Sequence, residues 1–260
     1  MPNNYSTVTY SRPFLAQVII RADFLGFISS DVLFQETKIN AIRAVFPHVT
    51  MRQIMRFNDV NVVIQNGGQP QTQSFIKEGF QQLFLDQFGN KLIISNKFLI
   101  LEINHYTTFE ETKAKLETSW RAVMGDSQID VCRLGIRYIN RFDSGQIRLT
   151  KSFFNNEIRA LYNPVISDDD NSRKSVRSMC LNEYRINDMR LNFRYGMYNP
   201  HYPNIMRENS FTLDYDCFCD SVISGFDALL AHIVKGHDEI QDLFESSITD
   251  SLREKMNNDA

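Results

Sequence analysis

The chain has 260 residues, 43% hydrophobic and 23% charged, the make-up of an ordinary globular protein with room for one large domain or two tightly packed lobes. A net charge of -3 and a pI near 6.0 weigh against wholesale binding to nucleic acid or anionic lipid, because counterion release needs clustered cations whose field is not cancelled nearby. The opening MPNNYSTVTYSRPF has no basic region followed by a long apolar run, and no later stretch has the length to cross a bilayer, so the expected location is the cytoplasm, with no membrane contact.

A first strand is predicted from Phe14 to Phe24, where Phe14, Ala16, Val18, Ile20, Ala22 and Phe24 share one face by the period of two. Gly26 ends it. Ser29 and Ser30 then offer N-caps for a helix running towards Phe46, and Pro47 stops that helix. Residues 67 to 74, GGQPQTQS, lack apolar periodicity and carry the punctuation of an exposed loop. From Phe80 to Tyr106 the pattern predicts three strands, reversed at Gly89-Asn90 and again at Ser95-Asn96-Lys97. A helix from Thr108 to Met124 follows, with Phe109, Leu116, Trp120 and Val123 near one stripe and Gly125 as its C-cap.

RLGIRYINRF, residues 133 to 142, is the next strand, and residues 190 to 199 nearly repeat it as RLNFRYGMYN. Between them lie a joint at residues 143 to 146, a short helix around Phe153 to Tyr162, and SDDDNSRKS at residues 167 to 175, whose serines and clustered charges predict a mobile surface excursion. Strands are predicted at Val176 to Ile186, Met189 to Met197 and Ser210 to Cys219, with Asn187-Asp188 as a turn. One long helix from Phe226 to Met256 closes the chain, its apolar stripe running through Phe226, Leu230, Ile233, His237, Ile240, Phe244, Ile248 and Leu252.

Strand alternation assigns faces to the doubled stretch. Arg133, Arg137 and Arg141 point one way, and Cys132, Leu134, Ile136 and Tyr138 the other; Arg190, Asn192 and Arg194 oppose Leu191, Phe193 and Tyr195. Ser210 to Cys219 supplies the complement, with Thr212, Asp214, Asp216 and Asp220 opposite Phe211, Leu213, Tyr215, Cys217 and Cys219. In a shared sheet these rows meet as cross-strand ion pairs, the plainest account of the repeat. The same arginines suit a partner protein or a phosphate-bearing ligand, since guanidinium forks match phosphate and carboxylate geometry. Parity puts Tyr138, Phe193 and Tyr195 opposite their arginines, so no stacking platform for RNA is expected on the cationic face.

Other chemistry is sparse. Asp214 and Asp216 are weak metal candidates, because two carboxylates fall short of a ligand set and the arginines are their natural partners. The four cysteines, Cys132, Cys180, Cys217 and Cys219, have no zinc-ligand spacing and are expected as free thiols. His105 and His237 are expected as core or boundary residues. Nucleophile-elbow, zincin, kinase and phosphate-loop patterns are missing from the sequence.

Four segments in order, SRPFLAQVIIRADF, NKFLILEINHYTTFEE, RLGIRYINRF, and LDYDCF followed by GHDEIQDLFESSITDSLREKM, resemble landmarks of a sporadically distributed prokaryotic protein family without an assigned activity. The chain departs from that pattern where a second proline would follow Pro13 and an acidic residue would stand near Gln17. The resemblance implies a patchy, mobile-cargo distribution and carries over no catalytic residue.

The fold expected is α+β, two packed lobes with mostly antiparallel sheets. Residues 1–143 form an N-terminal lobe ordered β-α-β-β-β-α-β, and residues 144–260 a C-terminal lobe closed by the long helix. The function expected is that of a non-enzymatic cytoplasmic binding or regulatory protein acting through protein contacts, and the patchy distribution that the resemblance implies points to an accessory of a bacterial defence or toxin-antitoxin type module. The rival is a metal- or phosphate-dependent enzyme, or a nucleotide or RNA sensor, using the Asp214/Asp216 and Arg133/Arg137/Arg190/Arg194 face. No cofactor is expected. A protein partner or homodimer is the expected company, with a small anionic ligand or nucleotide as the alternative.

Overall fold

A computed structural model describes residues 8–63, 71–125, 129–143, 150–159, 176–199, 201–205 and 210–257. The chain has an α+β fold built on one large antiparallel sheet. In its first half the strands are β1 (Leu15–Phe24), β2 (His48–Val49), β3 (Gln53–Val63), β4 (Gln71–Leu85), β5 (Lys91–Ser95), β6 (Phe98–Ile103) and β7 (Asp130–Asp143). The second half adds β8 (Ser178–Ile186), β9 (Met189–Met197), β10 (Ser210–Cys219) and β11 (Ile223–Ser224). Among the described residues the strand order is β2-β4-β5-β6-β1-β7-β10-β9-β8, with β3 added on β4 and β11 on β7.

Where two packed sheets are expected, there is a single one. The reason lies in β7, whose one edge takes β1 and whose other takes β10, so strands from both sides of the expected 143/144 joint share one core face. Residues 144–146 of that joint, the SDDDNSRKS stretch and residues 67–70 lie outside the described residues. Gln71 to Ser74, expected in a loop, belong to β4 and pair with β3. Neither β3 nor this half of β4 is predicted, because none of the side chains from Gln53 to Asn58 is buried and no apolar rhythm marks the strand.

Helices cover one face. α3 (Phe109–Met124) forms as expected: Thr108 Oγ1 accepts the Glu111 N–H at 3.2 Å, and Gly125, at φ 60°, sends its own N–H to the Arg121 carbonyl. Its buried Trp120 packs on Phe24 and Phe226. The helix expected from Ser30 to Phe46 is broken into α1 (Ser30–Leu33) and α2 (Glu36–Arg43) by an extended Gln35. The break lets Leu33 and Phe34 reach the core together with Ile42 and Phe46.

The expected single closing helix is also two, α5 (Phe226–Ser247) and α6 (Asp250–Asn257). Ile248 is extended and bridges Phe154, while Ser247 O accepts from Asn155 N and Thr249 N donates to Phe153 O, each at 3.0 Å. A backbone pairing thus replaces one turn of helix, next to α4 (Asn156–Arg159). α5 lies over β7 and β10 with Ile233, His237, Ile240 and Phe244 buried. Gly236 permits the close approach, since a Cβ there would stand 2.8 Å from Ile136 Cγ2.

The twenty phenylalanines give the aromatic core their number suggests. Tyr215, fully buried, stacks on Phe193 at 4.4 Å and meets Phe244 edge-on. Two bulges disturb the predicted parity. Around Ala16 the register of β1 shifts, so Leu15 joins Phe14 against the core and Ala16 turns to the other side. At the far end Phe24 pairs with Val131 while Asp23 pairs with Arg133, so Val131 takes the core position expected for Cys132. Among the described residues no helix is long and apolar enough to cross a membrane.

Candidate functional site

β7 and β9, the two nearly repeated strands, lie on either side of β10 and antiparallel to it. Leu134, Ile136, Tyr138, Leu191, Phe193 and Tyr195 are buried beneath the helices, so their alternating neighbours form the opposite face. There the register sets Arg137 beside Asp216, Arg194 beside Asp214, and Arg141 beside Thr212. Cations from both flanks therefore converge on the acidic central strand.

The tightest ion pair runs along a diagonal. Arg137 leaves Asp216, its partner in register, and grips Asp214 with both arms of its fork, Nε to Oδ1 and Nη2 to Oδ2 at 2.7 Å each. That bond holds the Arg137 guanidinium above its ordinary pKa. Arg194 stands further off, 3.6 Å from Asp214 and 4.0 Å from Asp216. Among the described residues Asp216 has no ion-pair partner nearer than Arg194, and burial raises its carboxyl above the ordinary range even though Arg137, Arg133 and Arg194 pull it down.

At one end of this face, the Arg133 and Arg190 guanidinium groups lie 4.7 and 4.8 Å from the centroid of the Phe218 ring, and both pair with Asp220. Gly135, beside Phe218 in the register, leaves room for that ring, whose Cβ lies 3.2 Å from where a glycine Cβ would be. An aromatic ring thus sits on the cationic face, which the parity of Tyr138, Phe193 and Tyr195 does not reveal.

At the other end the face hollows into a cleft of about 780 Å³. Arg137, Arg141, Arg177 and Arg194 line it, with Asp214 as the one carboxylate among the described lining residues. One row crosses the strands here: Arg141, Thr212, Gly196 and Met179 are consecutive partners on β7, β10, β9 and β8. Gly196 contributes no side chain. Its φ is 143°, and a Cβ would stand 2.1 Å from Ser178 O, so only glycine fits there.

Thr212 is buried, and its hydroxyl has no hydrogen-bond partner among the described residues. Arg141 pairs with Asp143 at 2.8 Å. Among the described residues no carboxylate lies within ion-pair distance of Arg177, whose guanidinium covers the Tyr202 ring at 4.6 Å. Asn199 fixes this wall, because its Nδ2 donates to Val176 O at 2.9 Å and Asn204 O at 2.6 Å while its Oδ1 accepts from His201 N. The residues on each side of Arg177 and Tyr202 are thereby stapled together.

The five predicted arginines therefore divide. Arg137, Arg141 and Arg194 reach the cleft; Arg133 and Arg190 clamp Phe218 and Asp220 instead. Asp214 is bound by Arg137 and Asp216 lies 4.0 Å from Arg194, and among the described residues no group of three or more His, Cys, Asp or Glu is placed to hold a metal ion. Arg177, Thr212, Tyr198, Asn199 and Tyr202 are missed as cleft residues. Alternation extended back from Met179 would place Arg177 on the cationic face, whereas the tyrosines follow the end of β9, where strand parity no longer applies.

His237 is a core residue, stacked on Phe109 at 3.8 Å with Nδ1 2.8 Å from the Tyr138 hydroxyl, and His105 stacks on Phe88 at the surface. The cysteines are free; Cys217 and Cys219 are buried, and burial pushes the Cys217 thiol up to about 12. No family model, curated protein or solved structure matches the chain.

Proposed function

We propose that the chain is a non-enzymatic binding protein whose cleft takes up a small anionic ligand. The observation that carries this reading is the convergence of Arg137, Arg141, Arg177 and Arg194 on one concavity of about 780 Å³ that holds a single carboxylate among its described lining residues. That size is within the range of small-molecule sites, about 300–1,000 Å³. Arginine keeps its charge at any physiological pH and presents a planar fork to phosphate or carboxylate oxygens. Arg177 and the loosely paired Arg194 are the groups with most to gain from a ligand, because Arg137 is already engaged.

The one carboxylate of the described lining, Asp214, is held by both Nε and Nη2 of Arg137 rather than left to move a proton, which favours capture over catalysis. Binding of inorganic phosphate and pyrophosphate, followed by thermal denaturation at constant ionic strength, tests the proposal. Ligand at about 100 times its dissociation constant stabilises the fold by about 2.7 kcal/mol, and Arg177→Glu with Arg194→Glu should abolish that gain. A response no larger than that to matched chloride contradicts it.

A protein partner on the same side is favoured by a separate observation. β8 ends the strand order and exposes Met179 and Leu181, whose register partners are Gly196 and Arg194. Leu181→Asp should then abolish association seen by analytical ultracentrifugation while leaving anion binding intact; association unaffected by the change counts against this second surface.

A further inference from the structure

We propose, resting on the anion-binding reading of the same cleft, that its ligand is a nucleotide: a phosphate ester that carries a flat aromatic base. The cleft has two chemically different parts. Arg141, Arg177, Arg194 and Thr212 form a donor-rich part, and Tyr198 and Tyr202 form an aromatic part beside it.

Thr212 gives the first part its polarity. Its Oγ1 lies in the wall, out of contact with solvent and without a protein partner among the described residues. An unmade hydrogen bond at a buried hydroxyl is unfavourable, so a turn of the Thr212 side chain that brings Oγ1 to the cleft surface is rewarded when a ligand supplies an acceptor oxygen there. Arg141, its neighbour in the register, and Arg194, one row along, bring charge to the same oxygen-rich group. Gly196, between Thr212 and Met179 in the register, lets the β8 backbone close tightly on β9 and so sets the edge of this part. A phosphate, with several acceptor oxygens and a double charge, satisfies a hydroxyl and two or three guanidinium groups at once.

The second part is built for a ring. Tyr202 is 56% exposed and Tyr198 43% exposed, unusual for aromatic side chains held beside a cavity. The Arg177 guanidinium already lies over one face of Tyr202, so the pair presents a flat cationic and aromatic surface on which a base stacks. Asn199 holds this surface in place before any ligand arrives. Gln17 and Asn104, joined through Nε2 and Oδ1 at 3.1 Å, close the cleft at its β1 end, on the far side of the phosphate part from the tyrosines. From β1 to β8 the cleft crosses four strand spacings, about 19 Å, enough for phosphate, sugar and base in sequence.

The test is titration calorimetry of the whole chain with the four nucleoside 5′-monophosphates, ribose 5-phosphate, adenosine and inorganic phosphate. At least one nucleotide should bind ten-fold or more tighter than ribose 5-phosphate, in keeping with the contribution of one stacked base. Tyr202→Ala should remove that advantage without weakening ribose 5-phosphate, Tyr202→Phe should retain it, and Arg194→Gln should weaken every phosphorylated ligand. Equal affinity for ribose 5-phosphate and all four nucleotides overturns the nucleotide assignment and leaves the anion site standing. If no phosphorylated compound binds, both readings fail.

Discussion

Arg137 and Asp214 show how one contact can organise a charged face. Nε and Nη2 of the guanidinium are both engaged at 2.7 Å and Asp214 is nearly buried, so the carboxylate is withdrawn from solvent while Arg137 stays partly exposed. Asp214→Asn should cost about 1–3 kcal/mol in denaturant unfolding, the range for a lost hydrogen bond to a charged group. The same change frees Arg137 and removes the single carboxylate from the described lining, so phosphate affinity should rise. Arg137→Met should cost more stability than Asp214→Asn, because it leaves a largely desolvated carboxylate with Arg194 at 3.6 Å as its nearest cation.

Asp216 behaves in the opposite sense. Burial raises its carboxyl above the ordinary 3.8, so the folded state holds the proton more firmly than the unfolded chain does. The ionised form is therefore a penalty at neutral pH, relieved as the pH falls through the raised value. Asp216→Asn should be as stable as the parent or more so at pH 7, with the difference shrinking on acidification. Urea midpoints compared along that pH series check the sign; a variant less stable at neutral pH and equal in acid would refute it.

At the scale of the element, alternation makes β7, β9 and β10 legible because one face of each is fully buried, and a residue shifted by one would place a charge in the core. The bulges at Ala16 and near Cys132 leave no comparable mark, since an added residue changes neither composition nor local propensity. Likewise, the breaks at Gln35 and Ile248 depend on backbone partners and core positions distant in sequence. Gly196 is the element-level residue on which the cleft depends. Gly196→Ala combines a positive φ with a Cβ 2.1 Å from Ser178 O, so it should cost about 3 kcal/mol or more and separate β8 from β9. Hydrogen exchange should show the loss as faster amide exchange at the β8–β9 pairs, with β1 and β6 unchanged.

At the scale of the molecule, the central arrangement is non-local. The repeat predicts two strands with the same two faces, yet nothing in the local pattern says that β10 lies between them, or that the sheet passes unbroken from β6 through β1 and β7 into the second half. That order brings Arg137, Arg141 and Arg194 together and carries Arg133 and Arg190 to the Phe218 end. It also adds Arg177 from the edge strand's approach and tyrosines from beyond β9. The predicted arginine face is therefore only part of the site, because the remaining wall comes from a turn whose position is fixed by Asn199.

The most direct measurement is a phosphate titration of isotope-labelled protein followed by NMR, at constant ionic strength. Binding in the cleft predicts saturable shifts at the Thr212 and Gly196 amides and at the Arg177 and Arg194 side chains, with the Arg133 and Arg190 side chains unmoved. Saturable shifts centred on Arg133, Arg190 and Phe218, or small linear shifts spread over the surface, would contradict it.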